Sequence, residues 1–336
     1  MKYYLFTLKF LTPVHFGDSG NGGNLERVSM TCSADTFFSA LCNEAAMISK
    51  DCVETLVNKF AEGKVKLSSL FPFYQADDEE LQLYLPKPLY RMNVEAPNAK
   101  SFEEMKIAAT KMKKMKKTTY VRASELADLL DAVKSYEEYE YDLPVFATKM
   151  NSERVNKRIE EPLPYFVGSY LFAKNAGLYF VLGIDNEEDL GEFEELVLQL
   201  GLSGIGGKRS SGYGKYEFFD DCIELDSDYG VYADDLALAR MLFDNEAGLQ
   251  MCIAPVKPNC EDAMVVKEGF YKLLRRSGFV SSNNMEENLK RDSVYMLAEG
   301  SCFKERVSGN LVDFTVQGVN HKIYRNGLGM YVGVRV

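Results

Sequence analysis

The residues best suited to bind a ligand lie between positions 201 and 218, where the sequence reads GLSGIGGKRSSGYGKYEF. Glycines allow the main chain to approach an anion closely, and successive backbone N–H groups then form an anion-binding nest. Neighbouring cations, hydroxyls and an aromatic ring add charge pairing, hydrogen bonds and a stacking face. The residues that would supply this chemistry are Gly204, Gly206, Gly207, Lys208, Arg209, Ser210, Ser211, Tyr213 and Lys215. This composition predicts a clamp for a nucleic-acid backbone, and a mobile helix-to-strand connection is the alternative.

The same loop is a poor match to a nucleotide-binding P-loop. That motif needs a glycine, four further residues and then Gly-Lys followed by Ser or Thr. Here Leu202 stands five positions before Gly207, and Arg209 stands where the magnesium-binding hydroxyl belongs. A P-loop also follows a strand and opens a helix, whereas the predicted elements occur here in the reverse order. Binding of an NTP or a dinucleotide by this loop is therefore not favoured.

The charge of the whole chain argues against a general nucleic-acid binder. The 336 residues carry a formal charge of −11, whereas affinity for phosphate comes from clustered Lys and Arg. Local clusters matter more than the average, and residues 106–122 contain seven basic residues and no acidic one. An acidic chain of this kind is expected to contact RNA only through a basic channel.

The cysteines do not form a recognisable metal site. All seven are scattered, none belongs to a C-x-x-C pair, and only His15 and His321 could join them as soft ligands. Structural zinc sites use closely spaced pairs, so neither a metal nor another cofactor is expected. No Ser-His-Asp or Cys-His arrangement can be assembled either. Scattered thiols without a signal peptide are typical of a cytoplasmic protein. The sequence has no apolar run of about 18 residues, so no membrane-spanning helix is predicted.

Hydrophobic patterning indicates an α+β chain that begins with a ferredoxin-like domain. Ser33 is expected to cap the first helix. Strand, helix, two strands, helix, strand is the ferredoxin-like order. The predicted strands cover residues 2–11, 144–150, 165–173, 177–184 and 215–225, and the predicted helices cover 35–49, 52–61, 124–133 and 186–200.

We assign residues 1–225 to this N-terminal domain, with insertions over about 64–165 and the glycine-rich loop at 201–214. Residues 226–336 are assigned to a second domain in which helices are weakly marked. Its predicted strands cover residues 249–254, 269–275, 293–297 and 311–316, with one more at the end of the chain.

An ordered set of motifs runs along the chain. It opens with FTLKFLTPVHFGDSG and SADTFFSALC, continues with SSLFPF, LPKPLY, KKMKKTTYV and RVNKRIEEPLPYFVGSYLF, and ends with AEGSCF and HKIYRNGLGM. Together with the glycine-rich loop, this set resembles the RAMP superfamily of CRISPR-associated proteins, and within it the subunit-four family of the type III-A Csm complex. The resemblance covers almost the whole chain. It implies two tandem ferredoxin-like, RRM-like domains with long insertions and a protruding hairpin.

The resemblance also implies RNA contacts outside the glycine-rich loop. These would come from the end of the first strand, the lysine-rich segment, the polar excursion near residue 155 and a C-terminal motif. The residues concerned are His15, Phe16, Gly17, Ser33, Lys114, Lys117, Arg154, Lys157, Arg158, His321, Tyr324 and Arg325. For these segments a capping, packing or solvated role is the alternative.

What the resemblance implies about function is a non-catalytic subunit of an interference complex. The subunit would hold the 5′ handle of the CRISPR RNA, dock the large cyclase and DNase subunit, and contact the backbone RAMP subunit. A rival interpretation is a stand-alone, metal-independent endoribonuclease that cuts the CRISPR repeat with His15 as general base. A third is an assembly scaffold with little RNA contact.

Overall fold

The computed structural model describes residues 1–17, 25–77, 79–90, 101, 103, 106, 110, 113, 117–135, 139, 142–156, 163–278, 292–315 and 322–335. Its helices are α1 (Ala34–Ile48), α2 (Lys50–Ala61), α3 (Leu126–Ser135), α4 (Asp189–Ser203), α5 (Ala233–Phe243) and α6 (Ala263–Glu268), with 3-10 turns at Ala123–Glu125 and Arg209–Ser211. Its strands are β1 (Lys2–Phe10), β2 (Phe16–Gly17), β3 (Val28–Ser29), β4 (Val65–Leu67), β5 (Phe71–Tyr74), β6 (Gln82–Pro86), β7 (Tyr120–Arg122), β8 (Ala147–Asn156), β9 (Leu163–Phe172), β10 (Ala176–Ile184), β11 (Tyr216–Phe218), β12 (Ile223–Leu225), β13 (Leu249–Cys252), β14 (Leu273–Arg276), β15 (Val294–Leu297), β16 (Cys302–Phe303), β17 (Gly309–Asp313), β18 (Tyr324–Leu328) and β19 (Tyr331–Val334).

An eight-stranded sheet forms the centre of the N-terminal part. Its order is β11-β1-β10-β5-β6-β7, with β12 also paired to β1 and β4 also paired to β10. Along the chain, the ferredoxin-like order is given by β1, α1, β4 with β5, β10, α4, and finally β11 with β12. The α+β class and the ferredoxin-like plan predicted from the sequence are confirmed.

The central hairpin of this plan differs from the predicted one. The sequence places the pair after an insertion over about 64–165, among the predicted strands 144–150, 165–173 and 177–184. Instead, β4 and β5 occupy that place in the sheet, and β8 pairs with β9 as a separate ribbon from Ala147↔Phe172 to Asn156↔Leu163. The reason is composition, because the FPFY run of β5 suits a strand covered on both faces, whereas β8 is largely polar.

Both faces of the sheet are buried. The pleat of β1 sends alternate side chains to opposite faces, and each face is covered by other elements. Tyr4, Phe6 and Leu8 face α1 and α4, where the rings of Phe6 and Phe180 stack with their centroids 5.0 Å apart. Burying each ring of this size contributes about 1.5–3 kcal/mol. Because both faces of β1 are covered, its central residues are largely apolar on both sides and do not alternate between apolar and polar.

The second face of the sheet packs against the C-terminal part of the chain. Tyr3 and Val181 share a core with Leu238 of α5, Met251 of β13 and Val332 of β19. Side chains from both sides of position 225 therefore form one continuous core, and the predicted domain boundary stays a prediction.

The C-terminal part consists of a three-stranded sheet, β16-β13-β19, and two hairpins, β14-β15 and β17-β18. Four predicted strands are found at their expected places, but the last predicted strand is two strands, β18 and β19. The helix α5 was not predicted. At its start the carboxylate of Asp235 accepts hydrogen bonds from the backbone N–H groups of Val231 at 2.8 Å and Tyr232 at 2.7 Å, and the acidic pair Asp234 and Asp235 in its first turn was the available signal. No helix in the described part of the chain is long and apolar enough to cross a membrane.

The first turn of α1 differs from expectation in its capping. Ser33 precedes the helix as predicted, but its side chain makes no capping hydrogen bond. Instead the hydroxyl of Ser69 accepts a hydrogen bond from the Ala34 N–H at 2.9 Å and donates one to Glu299 at 2.6 Å. A residue from a distant part of the chain therefore satisfies the helix start, which leaves the Ser33 side chain at the edge of an open cleft.

A buried ion cluster, here called the Asp35 clamp, joins the two parts of the chain. Asp35 is fully buried in the first turn of α1, and it pairs with the guanidinium groups of Arg276 and Arg325. The Arg276 Nε donates to Asp35 at 2.8 Å. Burial alone would raise the pKa of Asp35, but the two guanidinium groups outweigh it and hold that pKa below its usual value.

Candidate nucleic-acid interface

The glycine-rich loop (residues 201–214) packs on the segment that follows β1. The N–H of Gly207 donates to the His15 carbonyl at 2.8 Å, and the N–H of Gly214 donates to the Pro13 carbonyl at 2.9 Å. Ile205 bonds back to Gly214 at 3.0 Å, so that the two ends of the loop close on each other. The loop is therefore an ordered platform whose middle, from 208 to 213, reaches the surface.

Two of the glycines are required by this packing rather than by an open anion site. A Cβ on Gly206 would lie 2.8 Å from the His15 carbonyl oxygen, and one on Gly214 would lie 2.0 Å from that of Ile205. Both residues also have positive φ angles, at 91° and 77°, which disfavour a side chain. The glycines of this loop are predicted to allow close approach to phosphate, whereas these two allow close approach of the chain to itself.

Gly214→Ala is expected to lower the free energy of unfolding by about 1–3 kcal/mol, since it adds left-handed strain and a steric clash. Thermal unfolding of the purified chain would measure the loss. Gly17→Ala is the matched control, because Gly17 has open space where its Cβ would lie. Equal melting temperatures for the two variants would contradict the role assigned to Gly214.

The loop and the β8–β9 ribbon meet through basic and aromatic side chains. Arg154 donates to the Ser211 hydroxyl at 3.3 Å and to the Tyr213 hydroxyl at 3.2 Å, and its guanidinium lies 5.4 Å from the Tyr213 ring. Lys208 lies 5.4 Å from the ring of Tyr165. The structure thus brings together Arg154 and the loop, which the sequence analysis singled out separately, and adds Tyr165, which it missed.

Arg209 lies beside a buried carboxylate of α1. Its Nη1 is 3.8 Å from the Oε1 of Glu44, a residue of α1 whose side chain is only 3 % exposed. The hydroxyl of Ser203 donates to the other oxygen of Glu44 at 3.0 Å. Burial raises the pKa of Glu44, although Ser203 and Arg209 act to lower it. No motif marked Glu44 in the sequence, because its burial depends on the packing of α1 against α4.

The loop forms one wall of a cleft of about 1850 Å³, here called the basic cleft. The other walls are the polar face of α1, residues 86–90 and residues 269–276. The charged residues along these walls, within the described ranges, are Lys87, Lys208, Arg209, Lys272 and Arg276, opposed by Glu44 and Glu299. The rings of Tyr90, Tyr120, Phe270 and Tyr271 lie along the same walls. An acidic protein therefore has a cleft with an excess of positive charge and several aromatic rings.

The C-terminal wall of the cleft was missed by the sequence analysis. It carries two exposed rings, Phe270 and Tyr271, with 36 % and 44 % of their surfaces accessible, followed by Lys272. The sequence FYKLLRR at 270–276 was a usable signal, since aromatic and basic residues alternate in sites for single-stranded nucleic acid.

The segment after β1 lies against the loop, but its histidine faces inward. His15 and Phe16 are buried and Gly17 is exposed, and all three line the cleft. The Nδ1 of His15 lies 2.7 Å from the Gly168 carbonyl oxygen, so that the ring is anchored to β9. His15 is the only histidine among the described residues. Ser33 lines the cleft, and Lys117 is exposed just before Thr118 and Thr119, which also line it.

The remaining predicted contacts lie elsewhere. Tyr324 packs against the core on the helix side of the sheet, and Arg325 is buried in the Asp35 clamp. Neither is among the described residues that line the cleft. Lys114, Lys157, Arg158 and His321 lie outside the described residues.

The arrangement offers cations, main-chain donors and rings, but no metal centre was found. In the part of the chain that the structure describes, no group of three or more His, Cys, Asp or Glu side chains could hold a metal ion. All seven cysteines are free thiols. Exposed single-stranded RNA has the phosphates and base faces that such a surface binds.

Comparison with protein families gives two matches that together cover most of the chain. Residues 7–217 match the RAMP superfamily, and residues 245–334 match the CRISPR Csm4 C-terminal domain. The first match alone spans more than half of the 336 residues.

Curated relatives and solved structures agree with these matches. The chain is 29 % identical to the CRISPR system Cms protein Csm4 of Streptococcus thermophilus, over 93 % of this chain and 92 % of the relative. It is 28 % identical to the Csm4 protein of Mycobacterium tuberculosis, over 96 % and 95 %.

Two crystal structures share the fold over the whole chain. A Csm3–Csm4 subcomplex of the type III-A interference complex aligns with a TM-score of 0.64 at 16 % identity, covering 100 % of both chains. A Csm1–Csm4 cassette with pppApA aligns with a TM-score of 0.57 at 19 % identity, covering 100 % of this chain and 99 % of the other.

Proposed function

The chain belongs to the RAMP superfamily, as a Csm4 protein of type III-A CRISPR systems, and from this premise we propose that it is a non-catalytic RNA-binding subunit that holds the 5′ handle of the CRISPR RNA in the basic cleft. The observation that carries the proposal is the cleft itself. Outside the Asp35 clamp, its described walls carry four cations, Lys87, Lys208, Arg209 and Lys272, against two carboxylates, in a chain whose formal charge is −11. Acidic surfaces outside the cleft repel RNA, so that the strand is directed to this channel.

The chemistry of the cleft favours a single strand over a duplex. Single-stranded RNA exposes its bases, which stack on aromatic rings and on guanidinium planes. Tyr271 and Phe270 offer such faces on one wall, and Lys208 and Arg209 offer charge for phosphates on the other. A strand that passes between these walls would be held by its backbone and its bases together.

The proposal extends to protein partners. Relatives of this chain were crystallised with Csm3 and with Csm1. We expect this chain likewise to contact a backbone RAMP subunit and to dock the large cyclase and DNase subunit in the cytoplasm. Exposed apolar side chains near the start of the glycine-rich loop, on α1 and α4, provide surface for protein contact. They are Met47, Ile48, Leu198 and Leu202.

Crosslinking of the assembled complex tests the proposal. With 4-thiouridine in the handle, we expect crosslinks to residues 206–213 and 269–272, which line the two walls. Handle crosslinks confined to other subunits would contradict it. They would instead favour an assembly scaffold with little RNA contact.

The rival ribonuclease is distinguished in the same preparation. Incubation with repeat RNA in EDTA is expected to leave the RNA intact, since the His15 ring is buried and anchored at Nδ1. Cleavage that is lost in His15→Ala would support the rival instead.

A further inference from the structure

Glu44 lies on the wall of the basic cleft, and the proposed contacts with RNA do not account for it. One of its carboxylate oxygens accepts the Ser203 hydrogen bond, while Oε1 is buried without a hydrogen-bond partner. Buried charges are normally paired and hydrogen-bonded, because leaving water is costly for them. A buried carboxylate in a site for a polyanion therefore needs a specific reason.

The group that Glu44 faces is the guanidinium of Arg209. Their separation of 3.8 Å is an ion-pair distance, too long for a hydrogen bond. The Arg209 side chain is 31 % exposed and lines the cleft. A guanidinium presents five N–H donors in one plane, so that one edge can face a carboxylate while another binds phosphate.

Glu44 also contacts the start of the loop, since Ser203 is the last residue of α4. Between Ser203 and Arg209, the chain is held by the buried Ile205 and by the contact of Gly207 with His15. A single carboxylate on α1 therefore contacts both the start of the loop, through Ser203, and the second cation of the loop, Arg209.

We propose that Glu44 is a positioning residue for RNA binding, which orients the Arg209 guanidinium so that its outer edge meets a phosphate of the bound strand. The inference rests on the RNA-binding function proposed above. It accounts for an arginine at position 209, because a lysine ammonium has no second planar edge to offer.

The proposal predicts that Glu44→Gln changes the RNA affinity in the direction opposite to the one that net charge alone would give. Removing a carboxylate from a cleft for RNA removes repulsion, and on that ground alone Glu44→Gln should bind RNA more tightly. If Glu44 acts through Arg209, the same variant binds more weakly. Because burial raises the pKa of Glu44 in the folded chain, its ionised form lowers the stability at neutral pH, and the uncharged variant should be no less stable there.

The test is a double-mutant cycle on the full chain, with a single-stranded CRISPR-repeat RNA as the probe. We expect Glu44→Gln to lower the affinity about 5–10-fold without lowering the melting temperature. Arg209→Gln should lower it at least as much, and the double variant should bind no more weakly than Arg209→Gln. Glu44→Asp, which keeps the charge but withdraws it from Arg209, should weaken binding similarly and serves if Glu44→Gln folds poorly.

Glu299→Gln is the matched control, because it removes the other described cleft carboxylate, which hydrogen-bonds Ser69. It should not weaken binding. RNA affinity at or above the wild-type value in both Glu44→Gln and Glu44→Asp would overturn the positioning role of Glu44 but not the proposed function. Losses of affinity that add in the double variant would have the same meaning. Wild-type affinity in Arg209→Gln would overturn both this inference and the loop's part in the proposed function.

Discussion

Replacing both Lys208 and Arg209 with glutamate is expected to weaken binding of CRISPR RNA about 100-fold or more. Each charge-assisted hydrogen bond to phosphate contributes about 1.5 kcal/mol or more, and every 1.4 kcal/mol is a factor of ten in affinity. Introduced carboxylates add repulsion. Affinity measured across a salt series should also show a slope that is shallower by about 1.4, since two single-strand phosphate contacts are lost.

A control with the same change in net charge separates this local effect from general repulsion. Lys134 and Lys304 are exposed and pair only with neighbours, Asp131 and Glu268, within the described residues. Neither lies among the described cleft-lining residues. The Lys134→Glu, Lys304→Glu variant should keep most of the affinity. Equal losses in the two double variants would mean that the loop has no specific part in RNA binding.

Asp35→Ala is expected to lower the free energy of unfolding by about 3–5 kcal/mol, measured by urea denaturation. Removing one member of a buried ion cluster leaves the other charges uncompensated in a low dielectric. Here two guanidinium groups, both with side chains 8 % exposed, would lose their shared carboxylate. Asp131→Ala is the control, because its ion pair with Lys134 is exposed and should be worth at most about 1 kcal/mol.

The same cluster determines the direction in which the stability of the folded chain changes with pH. The pKa of Asp35 is lowered in the folded chain, so its stabilising contribution is present above the ordinary Asp pKa of about 3.9. That contribution is lost as the pH falls from there through the folded-state pKa. The destabilisation caused by Asp35→Ala should therefore shrink in strong acid. A difference between variant and wild type that is unchanged below that range would contradict the assigned role.

Much of the fold was predictable because its signals are local. Periodicity placed β1, α1, α2 and α4 within a few residues, and the glycine-rich loop was expected where it occurs, between α4 and β11. The choice of strands for the central hairpin was wrong, because pairing depends on which strand is covered on both faces. A strand of a polar ribbon and a buried strand of the sheet can have similar lengths, so that length does not distinguish them in the sequence.

The candidate site was only partly predictable, because burial inverts the meaning of a charged residue. Arg325 was assigned to an RNA-binding motif, yet its side chain faces Asp35, a partner 290 positions away. Glu44 gave no signal at all. Arg154 is the opposite case, since its contact with Tyr213 joins two segments that the sequence analysis had already marked.

The Asp35 clamp has a consequence for the chain as it leaves the ribosome. Asp35 and Arg276 are 241 positions apart, a span that takes roughly 10–50 s to translate at 5–20 residues per second. Once β10 has been made, the apolar side of the sheet formed by Tyr3 and Val181 has no C-terminal partner until α5, β13 and β19 follow. The nascent N-terminal half therefore exposes this apolar face until the C-terminal part of the core has been translated.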